Sequence, residues 1–222
     1  AKPHVALIDG IVMGGGAGIS VHGSHRVVTG KTLFAMPECG IGFFPDIGAG
    51  WFLPRCPGET GTWLGLTGAR IGGADMLALG LATHGVPSER LAGIVEALEA
   101  ADWSAAEAER VVDRVIASAA DDVGAATIPA WREAIDRCFA AETVEEILAR
   151  LDAEPGDLPR EAAAAMRAGS PTSLKLALSE LRQGCTMPYD DVVRMEYRMV
   201  CRVLGEPDFF EGDLQHLIDV RG

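Results

Sequence analysis

The sequence predicts an α/β core over residues 1–87 followed by a helical region over residues 88–222. Glycine is concentrated early: residues 1–75 hold most of the 27 glycines. They are set among short apolar runs such as VALIDG and HRVVTGKTLFAMPE. Short β-branched runs broken by Gly and Pro are the pattern of buried strands joined by tight turns and short helices. After about residue 87 the texture turns to Ala, Glu, Leu and Arg at helical spacing, with few glycines. Pro87-Ser88 marks the change. At 222 residues and 48% hydrophobic composition, a chain of this size buries roughly 70% of its unfolded surface and needs no staple or metal to hold it.

Taken in order, Val5–Ile8 reads as a buried strand that turns at Asp9-Gly10, and the glycine stretch Gly14–Gly18 then opens a helix. His25–Val28 and the run into Ala35 read as further strands. In the second half Thr143 stands three residues before Glu146, a capping box at the head of VEEILARL. Ser170-Pro171 supplies an N-cap and an N1 proline; Leu174, Leu178 and Leu181 line one face, and Gly184 stands where a C′ glycine belongs. Met195, Met199 and Val203 mark a face of a later helix, with Tyr197 and Val200 beside it, and a methionine stripe at this spacing reads as core. No internal repeat or low-complexity segment is visible.

Charge narrows the function. The formal net charge is −13, a field that repels nucleic acid and anionic lipid, both of which are bound first through phosphate. A phosphate-bearing ligand needs a local basic patch, for which Lys2, Arg26, Lys31, Arg55 and Arg70 are candidates. No apolar run approaches the ~18–20 residues that span a bilayer. The five cysteines are scattered, odd in number and without a CxxC pair, which reads as reduced thiols in a cytoplasmic protein. The opening residues resemble neither a signal nor a transit peptide and enter a strand at once, as if an earlier part of the chain were missing.

Two constellations can carry chemistry. The first is Gly14-Gly15-Gly16-Ala17-Gly18 after a strand. A glycine turn opening a helix presents free backbone N–H groups at the positive end of a dipole, able to hold a phosphate or an oxyanion forming on a carbonyl. Ile19 breaks a GxGxxG spacing, and His25 replaces the glycine that a Walker loop ending at Gly30-Lys31-Thr32 requires. Close packing of helix on strand explains the same glycines equally well. The second is Pro37-Glu38 and Pro45-Asp46 in an apolar, glycine-rich stretch. A carboxylate in a dry pocket has its pKa raised toward the range useful for proton transfer, and two in one pocket are driven apart into an acid and a base. Asp46 can instead cap a helix starting near Ile47, and Glu38 can stand at a strand end facing solvent. Cys39 has no histidine placed to activate it and reads as a small buried residue. His22 and His25 lack further metal ligands nearby; His4, His84 and His216 are isolated, and Pro57-Gly58 reads as a turn.

KPHVALIDGIVMGGGAGISVHG, LFAMPECGIGFFPDIGAGWFLPR, SPTSLKLALSEL and MEYRMVCRVLGEPDFFEG together resemble the crotonase (enoyl-CoA hydratase/isomerase) superfamily, and within it the 3-hydroxyisobutyryl-CoA hydrolases. The resemblance implies a crotonase-like spiral of ββα turns, its N-terminal part absent, followed by a C-terminal helical region. It implies hydrolysis of a short-chain acyl-CoA thioester, 3-hydroxyisobutyryl-CoA to 3-hydroxyisobutyrate and CoA in valine catabolism. Hydration or isomerisation of an enoyl-CoA, or acyl-CoA binding without catalysis, are the alternatives. Glu38 matches the family's catalytic glutamate, Asp46 the aspartate of the hydrolase branch, and Gly15, with Gly14 beside it, the oxyanion donor. Gly18 stands where hydratases carry a second glutamate, and that loss favours hydrolysis. No metal or separate cofactor is expected, coenzyme A entering as part of the substrate. The partner is the acyl-CoA, with no nucleic acid or membrane. A homo-oligomer or a companion N-terminal chain is open, and the absent N-terminal part implies either such a companion or numbering that begins inside a longer protein. Asp213–Gly222 departs from the family pattern.

Overall fold

The computed structural model describes residues 2–104 and 107–205; His216 and the Asp213–Gly222 tail lie outside them. In chain order the elements are β1 (Val5–Ile8), β2 (Ile11–Met13), α1 (Gly15–Val21), β3 (His25–Val28), β4 (Leu33–Ala35), α2 (Ala49–Phe52), α3 (Thr60–Thr67), β5 (Ile71–Gly72), α4 (Gly73–Ala78) and β6 (His84–Gly85). Then come α5 (Leu91–Glu99), α6 (Ala108–Ala119), α7 (Arg132–Phe139), α8 (Val144–Ala153), α9 (Asp157–Ala168), α10 (Pro171–Gly184) and α11 (Tyr189–Val203). This is the α/β beginning and helical continuation that glycine placement and texture predict. Among the described residues, no helix is long and apolar enough to cross a membrane.

By contacts the residues sort into two compact units that interleave along the chain. The first comprises residues 1–12, 19–34 and 71–129. Its parallel sheet has the order β1-β3-β6, with Val5 opposite His25 and Val27 opposite His84. Val27 and Val86 are buried with Ile94, Val112 and Ile116, so the apolar stripes of α5 and α6 close one core with the sheet. Pro87-Ser88 therefore lies inside this unit. The texture changes there, but the contacts continue. Asp75, buried on α4, accepts the backbone N–H groups of Thr127 (2.6 Å) and Ile128 (2.9 Å), which ties the end of this unit to its middle.

The second unit comprises residues 13–18, 35–70 and 130–222 and holds every acid and glycine of the candidate site. Its helices are capped as the sequence predicts at two places. Thr143 Oγ1 accepts the N–H of Glu146 at 3.2 Å, and Ser170 Oγ that of Ser173 at 3.2 Å with Pro171 at N1. Leu174, Leu178 and Leu181 are buried as expected. Two expectations are corrected. Gly184 is the last residue of α10 rather than C′, and it is buried because a Cβ there would stand 1.9 Å from the Gly50 carbonyl oxygen. On α11 the buried line runs through Val192, Glu196 and Val203, while Tyr197 points to solvent.

Candidate active site

Gly14 adopts φ +51°, a left-handed turn that glycine accepts without cost, and Gly15 begins α1. The N–H groups of a helix's first turn have no partner within the helix. No heavy atom lies within 4 Å of where a Cβ would stand at Gly14 or Gly15, so this opening faces free space. One turn on, the same helix is packed tightly: a Cβ at Gly18 would meet Ile47 Cγ2 at 1.8 Å. Packing and an open N-terminus, left as alternatives by the sequence, are thus divided between different glycines of one run.

Glu38 follows Pro37 into a 3-10 turn, Glu38–Ile41, closed by Gly42 at φ +76°. The Phe43 N–H donates to the Glu38 carbonyl (3.0 Å) and the Ser170 N–H to the Cys39 carbonyl (3.1 Å), pinning the turn to the head of α10. The Glu38 side chain is only 6% exposed, so it is no solvent-facing strand end. Its Oε2 is buried and has no hydrogen-bond partner among the described residues. Burial pushes its carboxyl up to about 7; its own backbone amide opposes the rise and the negative charge of Asp46 adds to it. Such a group exchanges its proton near neutrality.

Asp46 is partly buried, and burial raises its carboxyl while its own backbone N–H opposes the rise. It does not cap α2 with its side chain. The N-cap is Gly48 at φ +81°, and only the Asp46 backbone carbonyl accepts from Ala49, at 3.1 Å. Between them Ile47 sits at φ +60°, among the described residues the one non-glycine in the left-handed region. A β-branched side chain there is a genuine outlier, and such strain gathers at functional sites.

Beneath this loop lies what the sequence reading missed. Glu196 of α11 accepts the Gly48 N–H at 2.7 Å and the Gly50 N–H at 3.1 Å, and Glu180 of α10 is buried beside it. A signal existed. Ser173, Ala177, Glu180 and Gly184 form a helical stripe of small residues, all buried, with one acid among them.

The remaining candidates sort simply. Cys39 is buried, its thiol pushed far up by burial with Glu38 and Glu180 adding, and its Sγ faces the Gly65 carbonyl oxygen at 3.4 Å. It is a packing residue. Of the basic candidates, Arg26 donates to the carbonyls of Gly23, Gly80 and Leu81, and Arg55 to those of Trp51, Gly184 and Met187. Lys31 pairs with Asp9 at 3.5 Å. Lys2 and Arg70 are exposed.

One unit of the chain thus holds a left-handed glycine turn whose helix N–H groups face open space and a buried acid held near neutrality, the two kinds of group that acyl chemistry on a carbonyl requires. The chain belongs to the enoyl-CoA hydratase/isomerase family, whose model matches residues 1–221. It is 43% identical over 220 residues to the 3-hydroxyisobutyryl-CoA hydrolase, mitochondrial, of Danio rerio, and 45% identical over 223 residues to that of Rattus norvegicus. Each match covers 98% of this chain. The chain spans 58% and 57% of those relatives' lengths. Among solved structures it is similar to a carnitinyl-CoA dehydratase from Mycobacterium thermoresistibile, with a TM-score of 0.90, 38% identity, and coverage of 98% of this chain and 62% of that one. The crotonase-like fold and the likeness to the hydrolase branch are thus both found. The cytoplasmic assignment is corrected, because both vertebrate relatives are named mitochondrial. Scattered thiols carry no information that separates one reducing compartment from another.

Proposed function

We propose that this chain carries the catalytic acids of a hydrolase that splits a short-chain acyl-CoA thioester, 3-hydroxyisobutyryl-CoA, into 3-hydroxyisobutyrate and CoA, a step of valine catabolism. The observation that carries this reading is Glu38: a buried carboxyl with an unpartnered oxygen, held near 7, in a turn fixed from both sides. A protein that only binds acyl-CoA needs no such group, and burying it costs stability.

In this mechanism the Gly15 N–H, with Gly14 shaping the turn and a second donor, holds the thioester carbonyl oxygen as charge develops on it. Glu38 then acts in one of two ways. It attacks the carbonyl to give an acyl-enzyme that water later opens, or it takes a proton from the attacking water. Either way the C–S bond breaks, the thiol leaves with a proton, and one water is consumed. Asp46 orients Glu38, the substrate hydroxyl or the water.

Relatives of known structure include one titled a dehydratase, so hydration of an enoyl-CoA is the competing reading. Ile47 weighs against it. Its side chain fills the space beside Gly18, the position the resemblance assigns to a hydratase's second glutamate. Glu38→Gln in the full-length protein is expected to lower thiol release from 3-hydroxyisobutyryl-CoA by at least ~10²–10³-fold, no less than loss of an oxyanion donor. Wild-type-like turnover of that variant, or loss of enoyl absorbance from an enoyl-CoA without thiol release, overturns the assignment.

A further inference from the structure

We propose that Glu180 and Glu196 are positioning residues for the catalytic loop: a carboxyl–carboxylate pair sharing one proton, whose ionised member clamps the Gly48 and Gly50 amides and so fixes the backbone carrying Asp46. The inference deepens the hydrolase reading and rests on it for the role of Asp46.

The two acids come from different helices, α10 and α11, and are 1% and 4% exposed. Glu196 spends both oxygens on the loop, Oε2 on the Gly48 N–H and Oε1 on the Gly50 N–H. The first of those amides follows directly on Ile47, which stands at φ +60°, and the two lie on either side of the Gly48 Cα, at φ +81°. A left-handed isoleucine persists only where its surroundings over-determine it, and a bidentate acceptor on the next residues does so.

Neither Glu180 oxygen has a hydrogen-bond partner of normal geometry among N–H and O–H donors of the described residues. What Glu180 faces is Glu196, and its Oε1 would lie 2.7 Å from a Cβ at Gly50, so it is packed under the same turn. Among the described residues no Lys, Arg or His makes an ion pair with either acid. Two buried carboxylates in contact, with Asp46 adding a third negative charge, cannot all ionise. One proton closes the account. Glu196 already accepts two N–H bonds and is the carboxylate; Glu180, whose nearest donor is the Gly50 N–H that Glu196 already accepts, keeps the proton and donates its O–H to Glu196. Burial raises both carboxyls, Glu180 well above the ordinary range, and the Glu180 hydrogen bond lowers Glu196 while it raises Glu180.

The test uses the full-length protein, with thiol release from 3-hydroxyisobutyryl-CoA and amide hydrogen exchange of the 43–52 segment as separate readouts. Glu196→Gln sets an amide donor against one of the two N–H groups. It should lower kcat at least about tenfold with KM little changed, as misplacement of a catalytic group does, and speed exchange at Gly48 and Gly50. Glu180→Leu, which has no donor, should behave the same way. Glu180→Gln restores a donor toward Glu196 and should recover kcat to within about threefold of wild type, with the loop's exchange protection regained. The proposal is overturned if Glu180→Gln is as damaged as Glu180→Leu, or if Glu196→Gln folds with unchanged exchange at Gly48 and Gly50. If Glu196→Gln does not fold, the contrast between the two Glu180 variants decides. If the wild-type protein releases no thiol, the hydrolase reading fails while the exchange measurements still decide whether the clamp exists.

Discussion

At the scale of single residues the site is built from acids kept where charge is expensive. Glu38 is the clearest case, because its carboxyl titrates near 7 in the folded chain against 4.5 as an ordinary glutamate. Each tenfold displacement of a proton equilibrium is about 1.4 kcal/mol, so ionising Glu38 in the folded state opposes folding by roughly 3 kcal/mol. The sign follows from proton binding. Between pH 4.5 and about 7 the folded chain holds a proton at Glu38 that the unfolded chain has lost, so this residue's contribution to stability falls as pH rises through that window and is fully lost above it. Glu38→Gln has no such proton. Urea unfolding should find the variant and wild type similar near pH 4 and the variant more stable by roughly 3 kcal/mol near pH 8. A stability difference that does not change with pH would mean that Glu38 ionises freely in the fold. Catalytic loss and stability gain in one substitution would separate a functional acid from a structural one.

At the scale of elements, the second unit depends on two close approaches that only glycine permits. A Cβ at Gly184 would stand 1.9 Å from the Gly50 carbonyl oxygen, joining the end of α10 to α2, and one at Gly61 would stand 1.8 Å from the Leu53 carbonyl oxygen. Both obstacles are backbone and cannot rotate away. Gly184→Ala is expected to cost about 1–3 kcal/mol in urea unfolding, the usual range for overpacking. Gly93→Ala, in α5 with nothing within 4 Å of its Cβ, should instead stabilise by about 0.5–1 kcal/mol. Equal effects of the two substitutions would show that α10 can shift to relieve the contact.

These elements also show what the sequence discloses. Caps at Thr143 and Ser170, and the Leu174–Leu181 face, are local patterns, each within about two turns of one helix, so they are legible without the fold. Glu38 and Asp46 were legible because proline and glycine isolate them in an apolar stretch. Glu180 and Glu196 were harder to read: Glu180 is the one acid of α10, on a stripe of small residues, and Glu196 is one of three acids on α11, and each acquires its role only when its helix packs under residues 48–50. Gly184 was misassigned for the same reason: a terminal glycine serves as a C′ residue or a contact point according to what lies opposite.

At the scale of the whole molecule the dominant quantity is net charge, −13 over 222 residues. Exposed one-turn ion pairs such as Arg110–Glu107 and Arg160–Asp157 return little, since surface pairs of this kind contribute about 0–1 kcal/mol. Self-repulsion should therefore outweigh pairing. Raising salt from about 0.01 M to about 0.15 M shortens the screening length from ~30 to ~8 Å, and the thermal midpoint of the chain should rise. A falling midpoint would show that ion pairs, including Arg182 with Glu59 at 2.8 Å, hold more of the fold than their exposure suggests.

The contact between Gly18 and Ile47 also orders the routes by which this chain could change its chemistry. A glutamate introduced at position 18 alone meets the Ile47 side chain before it can meet any substrate. Ile47→Gly, made first, empties that space and relieves a left-handed isoleucine in the same step. On the proposed hydrolase reading, a change at position 18 is therefore accommodated only after a change at position 47.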